Sequence, residues 1–279
     1  MDMDRDVDIT FDFRSDTPEG RDPDARSPTL RRYHKCLWSK SLPSGAVFDL
    51  DDTTPRAYLH HRSALGEFFL SSDSVIPTFE YKSPTGSESP MRLRPRWAQN
   101  ISQIIDQIPV GDREAFRRKS YTIGGMMVFP GNRIGGRMTI NGACGCHPRI
   151  KDRFDLTVEC IRRHYLNESN PLTPTLTRYA DFFRLFGDFR GYVAFFLLQD
   201  LVTEDCSAVR FFLPLEDFKP WPLPASMDAY AAYRQLPIDF IEARSQRILE
   251  ACSLAGLNRL DLSGEKRRAK GEERLPRVL

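Results

Sequence analysis

Residues 121–165 read YTIGGMMVFPGNRIGGRMTINGACGCHPRIKDRFDLTVECIRRHY, and this stretch decides much of the expected fold. Two short β-like segments joined by a glycine-rich turn come first, and a run of backbone-permissive residues follows. Apolar side chains then recur at helical spacing, at Phe154, Val158, Ile161 and Tyr165. The stretch therefore predicts a pair of strands, a loop at 141–149 and a helix that begins near Asp152.

The same stretch lies within the most basic part of the chain. Residues 113–163, the basic segment, carry eleven Lys or Arg against four Asp or Glu, in a chain of net charge +2. Residues 1–26 form an acidic arm and loop, whose first 24 residues hold nine carboxylates and three arginines. Because opposite charges attract, we expect the acidic arm and the basic segment to face one another. The low net charge argues against a uniform coating of nucleic acid.

An anion site is the leading hypothesis for the predicted loop. Asn141, Gly142 and Gly145 tolerate positive φ, so consecutive backbone N–H groups can converge on an anion there. The candidate ligand-binding residues are Arg137, Asn141, His147, Arg149, Lys151 and Arg153. The alternative is ordinary turn chemistry, with Asp152 as the cap of the next helix. No dinucleotide or P-loop motif occurs, and we expect no cofactor.

One group of residues has a composition typical of a metal site, namely Cys144, Cys146, His147, Cys160 and His164. Cys160 and His164 are four residues apart and share a helix face. However, Cys144 and Cys146 are separated by one residue, where structural zinc sites need two to four. We therefore expect ordinary side chains and no metal.

Asp155 and Glu159 are candidates for an acid/base pair, because their spacing on a helix brings two carboxyl groups together. The alternative is structural. Glu159 and Arg163 are a stabilising pair one helical turn apart, and a carboxylate at Asp155 favours the helix dipole. The sequence favours this second interpretation.

A second polar cluster lies in the acidic arm and the first helix. Ser27 caps that helix and Pro28 is its first residue. The cluster contains Arg14, Asp16, Arg31, Arg32 and His34. His34 is a candidate general acid or base, and the two adjacent arginines are a candidate phosphate clamp. A solvated helix face is the interpretation that the sequence favours.

The order of the elements predicts an α+β fold, with a single mixed or antiparallel sheet wrapped by helices. Strands are expected at 8–13, 46–50, 67–70 and 209–213, and helices at 58–65, 96–108, 112–119 and 237–256. The aromatic tract Tyr179–Phe196 predicts a buried helical segment. Residues 1–262 are expected to form one domain, with a long surface loop at 83–95 and a disordered charged tail at 263–279.

Six scattered cysteines do not suggest a disulfide framework, and the chain starts with MDMDRDVD, which has no apolar stretch typical of a secretory signal. The longest apolar run, Tyr192–Leu198, is too short for a membrane helix. These features predict a cytoplasmic protein with no membrane partner.

Three runs resemble a bacterial family known as a domain of unknown function: FRSDTPEGRDPDARSPTLRRYHKCLWSKSLPSG, IKDRFDLTVECIRRHY and GYVAFFLLQDLV. The resemblance extends from Asp8 to about Cys252, which implies one domain. It implies a bacterial cytoplasmic protein and carries no catalytic residue to this chain.

Three functions are compatible with the sequence. The first is a phosphate-directed binder or enzyme that uses the basic segment on a nucleotide or RNA. The second is a non-catalytic protein–protein interaction module, in which charged flexible segments recruit a protein partner. The third is an enzyme that acts on an uncharged small molecule.

Overall fold

The computed structural model describes residues 7–53, 58–79, 96–219 and 222–271, with the backbone alone for 96–100 and 254–271. The predicted α+β class is confirmed. The helices are α1 (Pro23–Arg26), α2 (Pro28–Trp38), α3 (Arg96–Ile105), α4 (Val110–Ser120), α5 (Ile140–Cys146), α6 (Phe154–Tyr165), α7 (Thr173–Leu176), α8 (Ala180–Arg184), α9 (Phe189–Phe195) and α10 (Met227–Gly271). The strands are β1 (Lys40–Ser41), β2 (Val47–Phe48), β3 (Leu59–Ser63), β4 (Gly66–Ser74) and β5 (Met126–Pro130).

The described strands form two small antiparallel sheets, where the sequence predicted one. β1 pairs with β2, and β4 lies between β3 and β5 in a three-stranded sheet. The first residue of β3, Leu59, lies opposite Leu70 of β4. β4 then continues for four more residues, to Ser74 opposite Met126 of β5. Residues 71–74 therefore pair with β5 on one side and extend past β3 on the other, and we call this second side the free edge of β4.

The aromatic tract forms the centre of the core, as predicted. Phe182, Phe186, Tyr192 and Phe196 are fully buried, and their rings lie 4.9–5.4 Å apart in the contacts Phe182–Phe186, Phe186–Tyr192, Phe186–Phe196 and Tyr192–Phe196. Tilted and edge-on ring pairs at such distances add to the free energy gained by burying apolar surface. The rings are therefore part of the core, as the sequence indicated.

Arg244 of α10 is a buried cation that joins three parts of the fold. Its Nε donates to the carbonyl of Phe196 at 3.2 Å, and its Nη1 donates to the carbonyls of Gly124 and Met126 at 2.9 and 2.8 Å. Burial lowers the pKa of Arg244 to about 9. Three carbonyl oxygens thus replace water around the guanidinium, and they fix α10 against the start of β5.

The acidic arm folds as turns where the sequence predicted a strand at 8–13. Asp8 Oδ1 accepts a hydrogen bond from the N–H of Thr10 at 2.8 Å, and the N–H of Phe11 donates to the carbonyl of Asp8 at 3.2 Å. Such local bonds to Asp compete with strand pairing. The N–H of Phe13 donates to the carbonyl of Tyr121 at 3.1 Å, so the arm does lie against the end of α4.

The predicted helix at 58–65 is wrong, because these residues contain β3. Leu59 and His61 are buried and alternate with more exposed neighbours, which is the period of a half-buried strand. Farther along the chain, Val209 makes an isolated bridge with Val202 in place of the strand predicted at 209–213. The expected helices at 96–108 and 112–119 are confirmed as α3 and α4, and the strands at 46–50 and 67–70 as β2 and β4.

α10 is longer than the sequence predicted at both ends. It starts at Met227, contains Pro237 and continues to Gly271, past the predicted stop at Gly256. Part of the predicted disordered tail is therefore helical, because Ala, Glu, Lys and Arg are strong helix formers. The predicted loop at 83–95 and residues 272–279 lie outside the described residues. Within the described part of the chain, no helix is long and apolar enough to cross a membrane.

Candidate functional site

The predicted loop at 141–149 is largely α5. Thr139 caps this helix, because its Oγ1 accepts from the N–H of Gly142 at 3.2 Å. The N–H of Ala143 donates to the carbonyl of Thr139, and the N–H of His147 donates to the carbonyl of Ala143. These amides bond within the chain and do not converge on an anion, so the predicted loop conformation is wrong. Asn and Gly permit positive φ but do not require it, and a good cap decides the outcome.

The start of α6 also differs from the prediction. Its N-cap is Arg153, not Asp152. Lys151 and Asp152 both have positive φ, 50° and 65°, which is uncommon for residues with side chains. This backbone conformation directs the chain so that Arg153 enters the interior. The Nε of Arg153 donates to Asp155 Oδ1 at 3.1 Å, and its Nη2 contacts the other oxygen of that carboxylate.

The six candidate ligand-binding residues do not form one surface. Arg137 and Arg149 are exposed, and Asn141 belongs to α5. His147 follows α5 and accepts from the N–H of Arg149 at 3.2 Å through Nδ1. Lys151 is half-buried, whereas Arg153 is almost fully buried and bound to Asp155. Arg153 is thus a structural residue in this fold, and binding by the other five stays a prediction.

Much of the charge in the basic segment is paired within the protein. Six of its eleven cations have carboxylate partners, in the pairs Arg113–Asp106, Arg117–Glu114, Lys119–Glu242, Arg153–Asp155, Arg162–Glu159 and Arg163–Glu159. The contact with the acidic arm also reverses the expected charges. Arg14 of the arm pairs with Glu114 of the basic segment at 2.7 Å.

The helix carboxylates Asp155 and Glu159 both have structural partners. Asp155 is buried with Arg153 and accepts from the N–H of Phe212 at 2.8 Å. Glu159 accepts from the Nε of Arg162 at 2.7 Å and from the Nε of Arg163 at 2.8 Å. The predicted Glu159–Arg163 pair is therefore confirmed. Both carboxylates are bound by arginine partners, which favours the structural interpretation.

A cluster of carboxyl groups, most of them shielded from solvent, lies where the sequence predicted an anion site. The acidic cluster consists of Asp22, Asp24, Asp73 and Asp152. Burial, followed by repulsion from Asp22, raises the pKa of Asp24 to about 7. Burial raises the pKa of Asp152 to about 6. Burial together with the charges of Asp152 and Asp24 raises the pKa of Asp73 well above its ordinary value. Carboxyl groups that already repel one another disfavour a further anion, such as a phosphate, at this end of the basic segment.

Beside this cluster, a cleft of about 360 Å³ opens between α1, α2 and the free edge of β4. We call it the α1–β4 cleft. It is lined by Asp24, Ala25, Arg26, Ser27, Pro28, Arg31, His34, Asp52, Leu59, Leu70 and Ser72. Its volume is in the range of small-molecule sites.

Arg31 is held firmly at one end of the α1–β4 cleft. Its Nη2 donates to the carbonyl of Asp52 at 2.7 Å and to the carbonyl of Tyr58 at 2.5 Å. Its Nη1 is buried and has no hydrogen-bond partner among the described residues. Burial lowers the pKa of Arg31, although Asp52 and Asp51 counteract this effect. A buried N–H of a cation without an acceptor is costly, so this atom is suited to an acceptor on a ligand.

Asp24 lies at the other end of the cleft, next to the free edge of β4. Its Oδ2 accepts from the N–H of Ser74 at 2.9 Å and thereby takes the place of a neighbouring strand. Its Oδ1 is buried without a hydrogen-bond partner among the described residues. N–H groups alternate between the two edges of a strand, so the N–H of Ser72 points to the same edge as that of Ser74.

His34 and Ser72 meet between these two ends, but they do not form a nucleophile and base. The indole Nε1–H of Trp38 donates to Nδ1 of His34 at 3.0 Å, so the proton of the neutral ring is on Nε2. Nε2 lies 2.8 Å from Ser72 Oγ and donates to it. Burial, with a contribution from Arg244, lowers the pKa of His34 to about 3. His34 therefore positions the Ser72 hydroxyl and does not deprotonate it. The solvated helix face predicted for His34 is wrong.

The N-terminus of α2 borders the cleft but its N–H groups already have acceptors. Ser27 Oγ accepts from the N–H of Leu30 at 3.1 Å, and Asp16 Oδ2 accepts from the N–H of Thr29 at 2.9 Å. Asp16 also accepts from the Ser27 hydroxyl at 2.6 Å. A negative charge thus already stabilises this end of the helix dipole, which leaves Arg31 as the anchoring group of the cleft.

The cysteines and histidines considered as metal ligands do not form a metal-binding site. Cys144 and Cys160 are buried and Cys146 is exposed. Burial raises the pKa of both buried thiols, which disfavours the thiolate that binds zinc. No group of three or more His, Cys, Asp or Glu suited to a metal ion is found in the part of the chain that the structure describes. The absence of zinc from the protein stays a prediction.

Sequence reasoning identified Arg31 and His34 but missed Asp24, Asp73 and Ser72. One signal was present for Asp73. It interrupts the apolar run FFLSSDSVI at 68–76, and Asp is depleted in strands. Asp24 stands in the breaker-rich stretch RDPDARSP at 21–28, where nothing distinguishes it from the other carboxylates of the acidic arm.

Fold and site together describe an α+β protein with a polar cleft at the edge of a sheet. The chain belongs to a family of unknown function, DUF6994, whose family model matches residues 7–248. The resemblance inferred from the sequence to an uncharacterised family is therefore confirmed. Neither the curated proteins nor the solved structures compared with this chain contain a match.

Proposed function

We propose that the protein binds a small molecule in the α1–β4 cleft, through a hydrogen-bond acceptor on the ligand that meets Nη1 of Arg31. One observation carries the proposal. Arg31 lines a cleft of about 360 Å³, and its guanidinium is fixed by two carbonyl groups and keeps one buried N–H group that has no hydrogen-bond partner among the described residues. A pre-oriented cation of this kind favours a carboxylate or a phosphoryl oxygen.

The three functional hypotheses drawn from the sequence stay predictions. A phosphate-directed function based on the basic segment is weakened by its internal ion pairs and by the acidic cluster beside Asp152. A phosphate group nevertheless remains one of the acceptors that suit Arg31. A protein–protein interaction module and a bacterial cytoplasmic location are compatible with the cleft and are not needed for it.

Arg31→Gln tests the proposal, with Arg32→Gln as the matched control. Arg32 is the next residue of α2 but is exposed and outside the cleft lining. Sodium acetate, phosphate and sulfate are titrated against sodium chloride at equal ionic strength, and the melting temperature is recorded. A ligand that binds the native state raises it by mass action.

We expect at least one of these anions to raise the melting temperature of the wild type and of Arg32→Gln. The same anion should have no effect on Arg31→Gln, measured against the variant's own melting temperature in chloride. The anion should raise the melting temperature of Arg31→Lys only slightly, because the lysine ammonium group lacks the planar guanidinium that the two carbonyl groups orient. Equal anion responses in Arg31→Gln and the wild type would remove Arg31 from the site.

A further inference from the structure

We propose that the ligand of the α1–β4 cleft is a small zwitterion, whose ammonium group binds Asp24 while its carboxylate binds Arg31. The inference rests on the proposed function and adds the second charge of the ligand. The two protein groups have opposite formal charge and line the same cleft, and each keeps one buried polar atom that has no partner in the part of the chain that the structure describes. A ligand with one charge would satisfy only one of them.

The position of the two ends follows from the register of the sheet. Arg31 binds the carbonyl of Tyr58, the residue before Leu59, and Leu59 lies opposite Leu70. Asp24 binds the N–H of Ser74, four residues after Leu70. At about 3.3 Å per residue, these contacts are on the order of 10 Å apart along β4. That distance suits a short chain with a charged group at each end.

The surroundings of Asp24 favour a cation at that end. The titratable or charged groups around it come from four places: Asp22 on α1, Asp73 on β4, Asp152 before α6, and Tyr121 after α4 with Arg14 over its ring. Arg26 and Arg31 line the cleft itself. Three carboxyl groups thus surround Asp24, and an ammonium group relieves their mutual repulsion.

The free edge of β4 offers further hydrogen bonds between the two charges. The N–H of Ser72 points outward from this edge, and His34 positions the Ser72 hydroxyl. A peptide group in the middle of the ligand can pair with this edge in the manner of an added strand. Diglycine, which has a peptide group between its ammonium and its carboxylate, is therefore a useful probe.

The test compares three series of probes by isothermal titration calorimetry with the full chain. The first series is the ω-amino acids from glycine to 6-aminohexanoate, together with diglycine. The second is the monocarboxylates of the same chain lengths, and the third is the corresponding alkylamines. Varying the length locates the best spacing without assuming it.

We expect one zwitterion to bind about tenfold more tightly than its matched carboxylate, the factor typical of one added charge-assisted hydrogen bond. Asp24→Asn should lose this advantage and keep the carboxylate affinity. The side-chain oxygen of Asn still accepts from Ser74, so the fold should be retained. Glu19→Gln is the control, because Glu19 is an exposed carboxylate of the acidic arm that lies outside the cleft lining.

Proton release gives a second measurement. At about pH 7 an ammonium group that binds Asp24 should displace part of a proton, because it favours the ionised carboxylate. Titrations in two buffers with different ionisation enthalpies measure that release. The matched carboxylate should release fewer protons.

Each outcome has a distinct meaning. If carboxylates bind as tightly as the zwitterions in the wild type, the inference is wrong and the proposed function stands. The same holds if Asp24→Asn keeps the full advantage of the zwitterion. If none of the three series binds at concentrations of tens of millimolar, a carboxylate anchored by Arg31 is excluded, and the inference fails with it.

Discussion

The basic segment and the α1–β4 cleft make opposite use of charge. The basic segment has the largest excess of cations in the sequence, yet six of them are paired with carboxylates of the same chain. In the cleft, Arg31 and Asp24 each keep a buried polar atom that has no partner among the described residues. The comparison shows that a local surplus of charge does not define a binding site. A buried charge that the chain itself leaves unsatisfied is the stronger indication.

The largest effect is expected from Arg153→Ala, which tests the structural role of the basic segment. Removal of the guanidinium leaves Asp155 buried and unpaired, which should lower the free energy of unfolding by about 3–5 kcal/mol. Arg149→Ala, a change of an exposed arginine in the same segment, should alter it by no more than about 0.5 kcal/mol. Urea denaturation of both variants measures the difference. A similarly small loss of the free energy of unfolding in both variants would show that Arg153 contributes no more to stability than the exposed Arg149.

An intermediate effect is expected from Asp73→Asn, through the dependence of stability on pH. A carboxyl group whose pKa is raised in the folded state keeps a proton that the unfolded chain has already lost. The free energy of unfolding of the wild type should therefore fall as the pH rises above about 4. Asp73→Asn should reduce this fall and be more stable than the wild type at about pH 8, by at least about 1.4 kcal/mol, the equivalent of one pKa unit.

Urea denaturation at about pH 4.5 and about pH 8 provides the comparison, and Asp22→Asn is the control for an exposed member of the acidic cluster. Parallel pH profiles for the wild type and Asp73→Asn would show that Asp73 ionises without penalty. In that case the argument for repulsion among the carboxyl groups around Asp24 would be lost.

The smallest effect is expected for nucleic-acid binding by the basic segment. The double variant Arg137→Ala, Arg149→Ala should change the affinity for a single-stranded RNA probe by less than about twofold at about 0.1 M salt, because exposed charges are largely screened there. Fluorescence anisotropy over a range of salt concentrations measures it. A steep salt dependence that becomes shallower in the double variant would restore the phosphate-directed hypothesis.

Elements whose apolar pattern fits a single secondary structure could be predicted from the sequence. Elements whose pattern fits more than one could not. The amphipathic pattern of α6 and the rings of the aromatic tract were visible in the sequence, because their spacing matches one face of a helix. β3 was mistaken for a helix because its few apolar residues fit both the helical and the strand period. Its pairing with β4 decides in favour of the strand. α5 was mistaken for a loop because Asn141, Gly142 and Gly145 permit several conformations, and the Thr139 cap selects one of them.

The candidate site was only partly predictable for a related reason. Arg31 and His34 attracted attention as polar residues on one helix, but the sequence favoured exposure to solvent. Their burial depends on β4 and on the residues near Asp52, which are brought against α2 by the fold. Asp24, Asp73 and Asp152 are far apart in sequence, and no local pattern links them.

The sequence by itself determined the α+β class, the aromatic core and the excess of positive charge at residues 113–163. These properties follow from composition and from periodicity within single elements, where neighbours along the chain are neighbours in space. Only the tertiary structure decided which charges are neutralised and which are left for a ligand. Burial and pairing depend on contacts between residues distant in sequence. The pairing of Arg163 with Glu159 is local, whereas the meeting of Asp24 with Ser74 and Asp152 exists only once α1 packs against the free edge of β4.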